Sequence, residues 1–231
     1  MIILGADTSS QAATVALMQD DKIICEYTLN INNTHSEKFL PLIEQMLLDT
    51  SLSYEYIDVF ACGLGPGSFT GIRIGVATIK GLCGATLKKA IGVSSLKALA
   101  YNVEGLDKII VPTIYARCDE VYCAAYSGDM QEIIPPSVME FSELLESLKG
   151  KKAMFIGDGA KRFADRLAEP DNDFCIAPES LNIMRGSSVC KIACTMAERG
   201  EFTDYTQLAP VYLRQSQAER EYNNKEKGRL D

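Results

Sequence analysis

The apolar positions along the chain fall into two rounds of one pattern. Ile2 to Ala6, Thr14 to Met18 and Ile23 to Thr28 are short runs rich in aliphatic and β-branched residues, parted by Ser9-Ser10-Gln11 and Gln19-Asp20-Asp21. Runs of this length between turn formers predict strands, and connections this short predict an antiparallel meander. From about Ser36 to Asp49 the apolar residues recur three and four apart, which predicts an amphipathic helix. Tyr56 to Cys62 predicts a buried strand, the residues beyond Thr70 a helix, Lys89 to Val93 a strand, and Ser95 to Tyr101 another helix. After Gly105-Leu106-Asp107 the order restarts, with paired strands at Ile109 to Ala116 and Glu120 to Tyr126 and a helix at Phe141 to Leu148. A strand at Ala153 to Ile156 then runs through Gly157-Asp158-Gly159 into a further helix. A meander and then alternating helix and strand, stated twice, predicts an α/β chain of two related lobes, residues 1–104 and 105–214. The charged stretch 215–231 carries no apolar period and predicts a frayed or disordered tail.

Between the fourth strand and its helix lies the run Gly63-Leu64-Gly65-Pro66-Gly67-Ser68-Phe69-Thr70-Gly71-Ile72-Arg73-Ile74-Gly75. So little side chain at a strand-to-helix turn predicts that a phosphate, a nucleotide or a second backbone approaches closely. A helix N-terminus favours an anion, and Ser68, Thr70 and Arg73 could add donors. The run departs from the P-loop, since Gly71 is followed by Ile72 and Arg73, and its glycine spacing departs from the dinucleotide fingerprint. Asp7-Thr8-Ser9 after the first strand and Asp158 between two glycines are further candidates for nucleotide contact, alongside Gly65 and Gly67; the same residues are ordinary turn formers.

Composition narrows the chemistry. The 231 residues carry a net charge of −8, which argues against autonomous binding to nucleic acid. No apolar run is long enough to span a bilayer, and Met1 to Leu4 is too short for a secretory signal. The eight cysteines avoid C-x-x-C spacing and sit mostly in apolar patterns, so they are expected as buried thiols of a cytoplasmic protein. His35 is the only histidine. That excludes every two-histidine metal motif and leaves Ser-His-Asp or Cys-His catalysis almost no room, so neither a catalytic residue nor a metal ligand is assigned.

Several of these segments together resemble a known family. Gly5-Ala6-Asp7-Thr8-Ser9, His35-Ser36-Glu37 leading to Leu40-Pro41-Leu42-Ile43, Gly65 to Gly71 with Arg73-Ile74-Gly75, Ala116-Arg117, Glu120-Val121-Tyr122, Gly157-Asp158-Gly159 and Ala209-Pro210-Val211-Tyr212-Leu213-Arg214 carry the resemblance, nearly end to end. The family is that of the TsaB-type tRNA threonylcarbamoyladenosine biosynthesis proteins, glycoprotease-like paralogues of the threonylcarbamoyl transferase TsaD in the actin-like ATPase (ASKHA) superfamily. The chain departs from the pattern at Tyr115, where an Asp is common, and at Cys118-Asp119. The resemblance implies a two-lobed fold of duplicated ribonuclease-H-like lobes with mixed sheets. It also implies a part in forming N6-threonylcarbamoyladenosine at tRNA position 37. The paralogue holds its metal with a histidine pair that this chain lacks. The expectation is therefore a non-catalytic partner of the transferase and of the small ATPase TsaE, with no cofactor of its own, ATP or ADP at most at a complex interface, no direct tRNA contact, and self-dimerisation in isolation.

A partner needs a docking surface. Leu40, Ile43 and Leu47 on one helix, and Gly71, Ile74, Gly75, Thr78 and Leu82 on the helix after the glycine run, are expected to form it. A rival reading is a nucleotide-dependent ATPase or small-molecule kinase using Asp7 and Asp158; a peptidase lacks both ligands and base.

Overall fold

In the computed structural model, which describes residues 1–31, 35–169 and 173–214, the chain folds around two five-stranded mixed sheets. In the first, β1 (Ile2–Asp7), β2 (Ala13–Gln19) and β3 (Lys22–Leu29) form the antiparallel meander, and β4 (Val59–Gly63) and β5 (Lys89–Val93) add in parallel beyond β1, in the order β3-β2-β1-β4-β5. In the second, β6 (Ile109–Arg117), β7 (Glu120–Tyr126), β8 (Glu132–Glu140), β9 (Ala153–Ile156) and β10 (Phe174–Ile176) repeat that topology in the order β10-β9-β6-β7-β8. The central strands are continuous apolar runs because both faces of each sheet are covered.

The outer face of the first sheet carries α1 (His35–Thr50) and α2 (Phe69–Thr86) over a core that includes Leu4, Val15, Phe39, Ile43, Phe60, Ile72 and Ile79. The outer face of the second carries α4 (Phe141–Ser147), α5 (Asp158–Arg162) and α6 (Ala164–Leu167) over Val111, Val121, Phe141 and Phe155. Between the sheets lie α3 (Ser95–Ala100) and α7 (Gly186–Glu198) in a shared core. Each covers the sheet it does not follow in sequence. α3 comes after β5 and packs on β6 and β7, whereas α7 comes after β10 and packs on β1 and β2. Helix α7 approaches very closely: a Cβ on Gly5 would lie 2.6 Å from Cys190 Sγ, and one on Gly186 2.6 Å from the Ala16 nitrogen.

Three elements differ from the sequence reading: β8, the three-residue β10 and α7. Strand β8 contains Pro135 and Pro136, which the ladder tolerates because β8 is a sheet edge. Helix α7 goes unmarked in the sequence because its glycine and three Ser/Thr residues mask an apolar stripe. Of the eight cysteines, Cys62, Cys83, Cys123, Cys190 and Cys194 are buried, but Cys25 and Cys175 are half-buried, and Cys118 is exposed in the β6–β7 turn, which corrects the expectation of uniformly buried thiols. Burial pushes the thiols of Cys83 and Cys123 up to about 11, so both are inert at neutral pH. Among the described residues no helix is long and apolar enough to cross a membrane. The predicted tail 215–231 lies outside the described residues.

Candidate functional site

The glycine run and the Asp7-Thr8-Ser9 turn meet, and a second backbone is what approaches the glycines. The Ser68 N–H donates to the Ser9 carbonyl at 2.7 Å, and the Thr8 hydroxyl donates to the Gly71 carbonyl at 2.7 Å. A Cβ on Gly67 would strike the Ser9 carbonyl, and one on Gly71 the Thr8 carbonyl. Gly65 takes φ +97°, a left-handed conformation that glycine adopts without strain. Its N–H donates to Ser95 Oγ at 3.1 Å, and its carbonyl accepts from the Ser95 N–H at 2.9 Å. The volume a phosphate would occupy in a P-loop is here filled by chain.

Asp7 locks this junction. Its Oδ1 accepts from the Ser9 N–H at 2.7 Å and the Ser9 hydroxyl at 2.6 Å, and its Oδ2 accepts from the Ser95 hydroxyl at 2.7 Å. Asp7, Thr8 and Ser9 are each 1% exposed. Burial raises the Asp7 pKa, opposed by these hydrogen bonds and by His35. Of the residues expected at a nucleotide, Asp7, Thr8 and Ser9 thus use their polar groups to tie β1 to the starts of α2 and α3, Gly65 bonds Ser95, and Ser9 and Gly67 also border a cavity between the sheets. Asp158 is different. It stands at the start of α5 on the wall between the sheets, accepts the Tyr115 N–H at 2.9 Å, and keeps an exposed side. The Tyr115 ring, at the departure from the family pattern, lies under the Arg162 guanidinium. Next to Asp158 are two confluent cavities of about 120 and 300 Å³ that share Ser10, Gln11, Ile114 and Asp158.

The expected docking residues divide. Ile43 is 0% and Leu47 5% exposed, inside the core under α1, because the helix faces the sheet with that stripe. Gly71 and Gly75 are also buried, pressed on Thr8. These four are corrected to interior positions. Leu40 is exposed, and Ile74, Thr78 and Leu82 are half-exposed. Beside the latter runs a track of Ala77, Gly81 and Ala85 at four-residue spacing, all exposed. With Pro41 and Leu48 on neighbouring α1 they make a mostly apolar outward surface that also carries the exposed Glu44 and Gln45. The segment 205–212 lies along the flank of α2, where Lys80 donates to the Thr206 carbonyl at 2.8 Å and Arg73, exposed one turn before Ala77, donates to the Tyr212 hydroxyl at 2.7 Å. His35 sits at the start of α1 with Nε2 2.9 Å from the Ser10 carbonyl.

Comparison with known proteins agrees with this architecture. The profile of the family TsaD, tRNA N6-adenosine threonylcarbamoyltransferase, matches residues 22–222. The tRNA threonylcarbamoyladenosine biosynthesis protein TsaB of Bacillus subtilis is 28% identical over 98% of this chain and all of its own length. YeaZ from Pseudomonas aeruginosa superposes with a TM-score of 0.79 at 25% identity, covering 92% of this chain and 99% of that one. The activator of 2-hydroxyisocaproyl-CoA dehydratase from Clostridium difficile, at 10% identity and a TM-score of 0.50 over 88% and 99% of the two chains, shares the fold alone. The duplicated lobes are those of the two-lobed actin-like ATPase fold. With a family profile spanning most of the sequence and relatives matched end to end, the chain belongs to the tRNA N6-adenosine threonylcarbamoyltransferase family, among its TsaB members.

Proposed function

We propose that this chain serves tRNA N6-threonylcarbamoyladenosine formation as a non-catalytic subunit that binds and activates the transferase TsaD, with the small ATPase TsaE as third partner. The observation that carries the reading is the mostly apolar face of α1 and α2, where Leu40, Leu48, Ala77, Gly81 and Ala85 stand exposed beside Ile74, Thr78 and Leu82, with Glu44 as the charge among them. Small residues at four-residue spacing let a second helix approach closely, and a partner with the same fold offers an equivalent pair of helices. The same face would join two copies of this chain when the transferase is absent, as an isologous dimer. Two features support the absence of catalysis. The only histidine is held by the Ser10 carbonyl, and the glycine run is packed with backbone rather than open to a phosphate. Any ATP or ADP requirement then belongs to the complex, and the place of action is the cytoplasm, where the tRNA is modified.

Gly81→Arg is the discriminating variant, since a side chain there meets nothing within 4 Å inside the chain. It should abolish co-elution with the transferase and lower the modified fraction of tRNA in cells depleted of the wild-type protein. Its circular dichroism should match wild type and its melting temperature should not fall, since Arg is the better helix former at this exposed position. Retained co-elution would reject the reading. Ile43→Arg is unsuitable for this purpose, because it places a charge in the core.

A further inference from the structure

The larger of the two cavities between the sheets, about 300 Å³, is at the lower end of the size of small-molecule sites. Its walls come from all parts of the fold: Ser68 and Phe69 at the start of α2, Ile114 and Tyr115 on β6, Asp158 at α5, and Arg214 after the last turn. Arg214 is the group that demands explanation. Its Nη2 is buried with no hydrogen-bond partner among the described residues, an uncommon state for a guanidinium with five donors. Its Nη1 lies 3.4 Å from Glu120 Oε2, but that carboxylate also takes Arg117 Nε at 3.0 Å. One negative charge thus faces two positive ones, leaving a guanidinium edge in want of an acceptor.

Asp158, on the lining of the same cavity, uses Oδ1 to accept the Tyr115 N–H, and a carboxylate has further acceptor capacity. A cavity lined by a guanidinium that shares its one carboxylate partner, and by a second carboxylate, suits a ligand carrying both charges. A phosphate dianion would gain from Arg214 but meet Asp158 and Glu120, whereas a plain amine would gain from Asp158 and leave Arg214 unmet. Phe69, stacked on Tyr212 with centroids 4.9 Å apart, together with Ile114 and the Tyr115 ring, supplies an apolar lining for a side chain. We propose that this cavity binds a free α-amino acid, its carboxylate on Arg214 and its ammonium on Asp158. Residues from both sheets would then touch one ligand, so its binding would be coupled to how far the lobes close.

The full chain, labelled for amide NMR, can be titrated with L-threonine, L-leucine and L-tyrosine as probes, against acetate, inorganic phosphate and methylammonium as half-ligands. Saturable shifts at residues 68–69, 114–115 and 158 with at least one amino acid, and at least tenfold weaker binding of each half-ligand, are the expected result. Arg214→Gln and Asp158→Asn should each weaken the amino acid tenfold or more while the melting temperature holds. If Arg214→Gln alone disturbs the fold, Asp158→Asn and the half-ligands still decide. Acetate or phosphate binding as tightly as every amino acid would overturn the proposal, as would the absence of any saturable shift.

Discussion

Asp7 shows how a single residue is read differently once its neighbours are known. The sequence offers a carboxylate in a turn, which suits a metal, a phosphate site or a plain turn. The structure surrounds it with the Ser9 N–H, two hydroxyls and the buried turn of Gly63 to Gly67. The ligands of the junction come from residues 9, 65, 68, 71 and 95, and no local pattern encodes that convergence. What could be read was that something passes close to the glycines; that it is the Thr8-Ser9 backbone depends on contacts about sixty residues apart in sequence. A pH dependence follows. Burial raises the Asp7 pKa in the folded chain above its unfolded value of 3.8, so the native state binds the more protons between the two values. The stability tied to Asp7 is therefore fully present below about pH 4 and is lost as pH rises through the folded pKa. Relative to Asp7→Asn, which does not titrate, wild type should lose urea resistance as pH is raised from 4 towards 7. A difference between the two midpoints that stays constant, or grows in favour of wild type, would contradict this.

At the scale of elements, α2 illustrates both the reach and the limit of periodicity. Its near lack of charge was visible in the sequence, and so was its launch from a glycine turn; the structure adds Ser68 as its cap, whose hydroxyl accepts the Gly71 N–H at 3.2 Å. Which small residues face outward was not visible, because an apolar helix has no polar side to fix its rotation; packing on Thr8 turned Gly71 and Gly75 inward and left Ala77, Gly81 and Ala85 outside. Likewise the spacing of Leu40, Ile43 and Leu47 marks one stripe, yet Ile43 and Leu47 point to the sheet while Leu40, a turn earlier, emerges. Gly81 offers a direct check. It is mid-helix, exposed, and open to a Cβ, so Gly81→Ala should stabilise the isolated chain by about 1 kcal/mol through helix propensity alone. Denaturant unfolding measures this, and a loss of stability would mean that the outward face is covered in the free protein. Gly84, one turn on, has the Tyr205 ring 3.3 Å from such a Cβ and should not share the gain.

For the whole molecule, the repeat of meander, helix and strand was legible because each lobe is written contiguously up to its last strand. The exchange of α3 and α7 was not, since it concerns which sheet a helix covers, and an amphipathic stripe does not name its partner. That exchange makes folding a property of the entire chain. Residues 1–104 contain all five strands of the first sheet but lack Val189, Ile192 and Ala193 of α7, which with Cys190 close over Ile3, Ala16, Met18 and Ile91. They also carry α3, whose buried Leu96 and Leu99 belong against the second sheet. The uncovered side chains amount to several fully buried residues at about 1.5–3 kcal/mol each, comparable to the entire stability of a typical domain. A fragment ending at residue 104 should therefore show no cooperative melt and should bind a hydrophobic dye, and adding fragment 105–214 should restore a single transition, because each fragment holds the helix that the other needs. A cooperative melt of 1–104 alone would mean that β1 to β5 with α1 and α2 suffice, and that the helices between the sheets join the lobes without completing them.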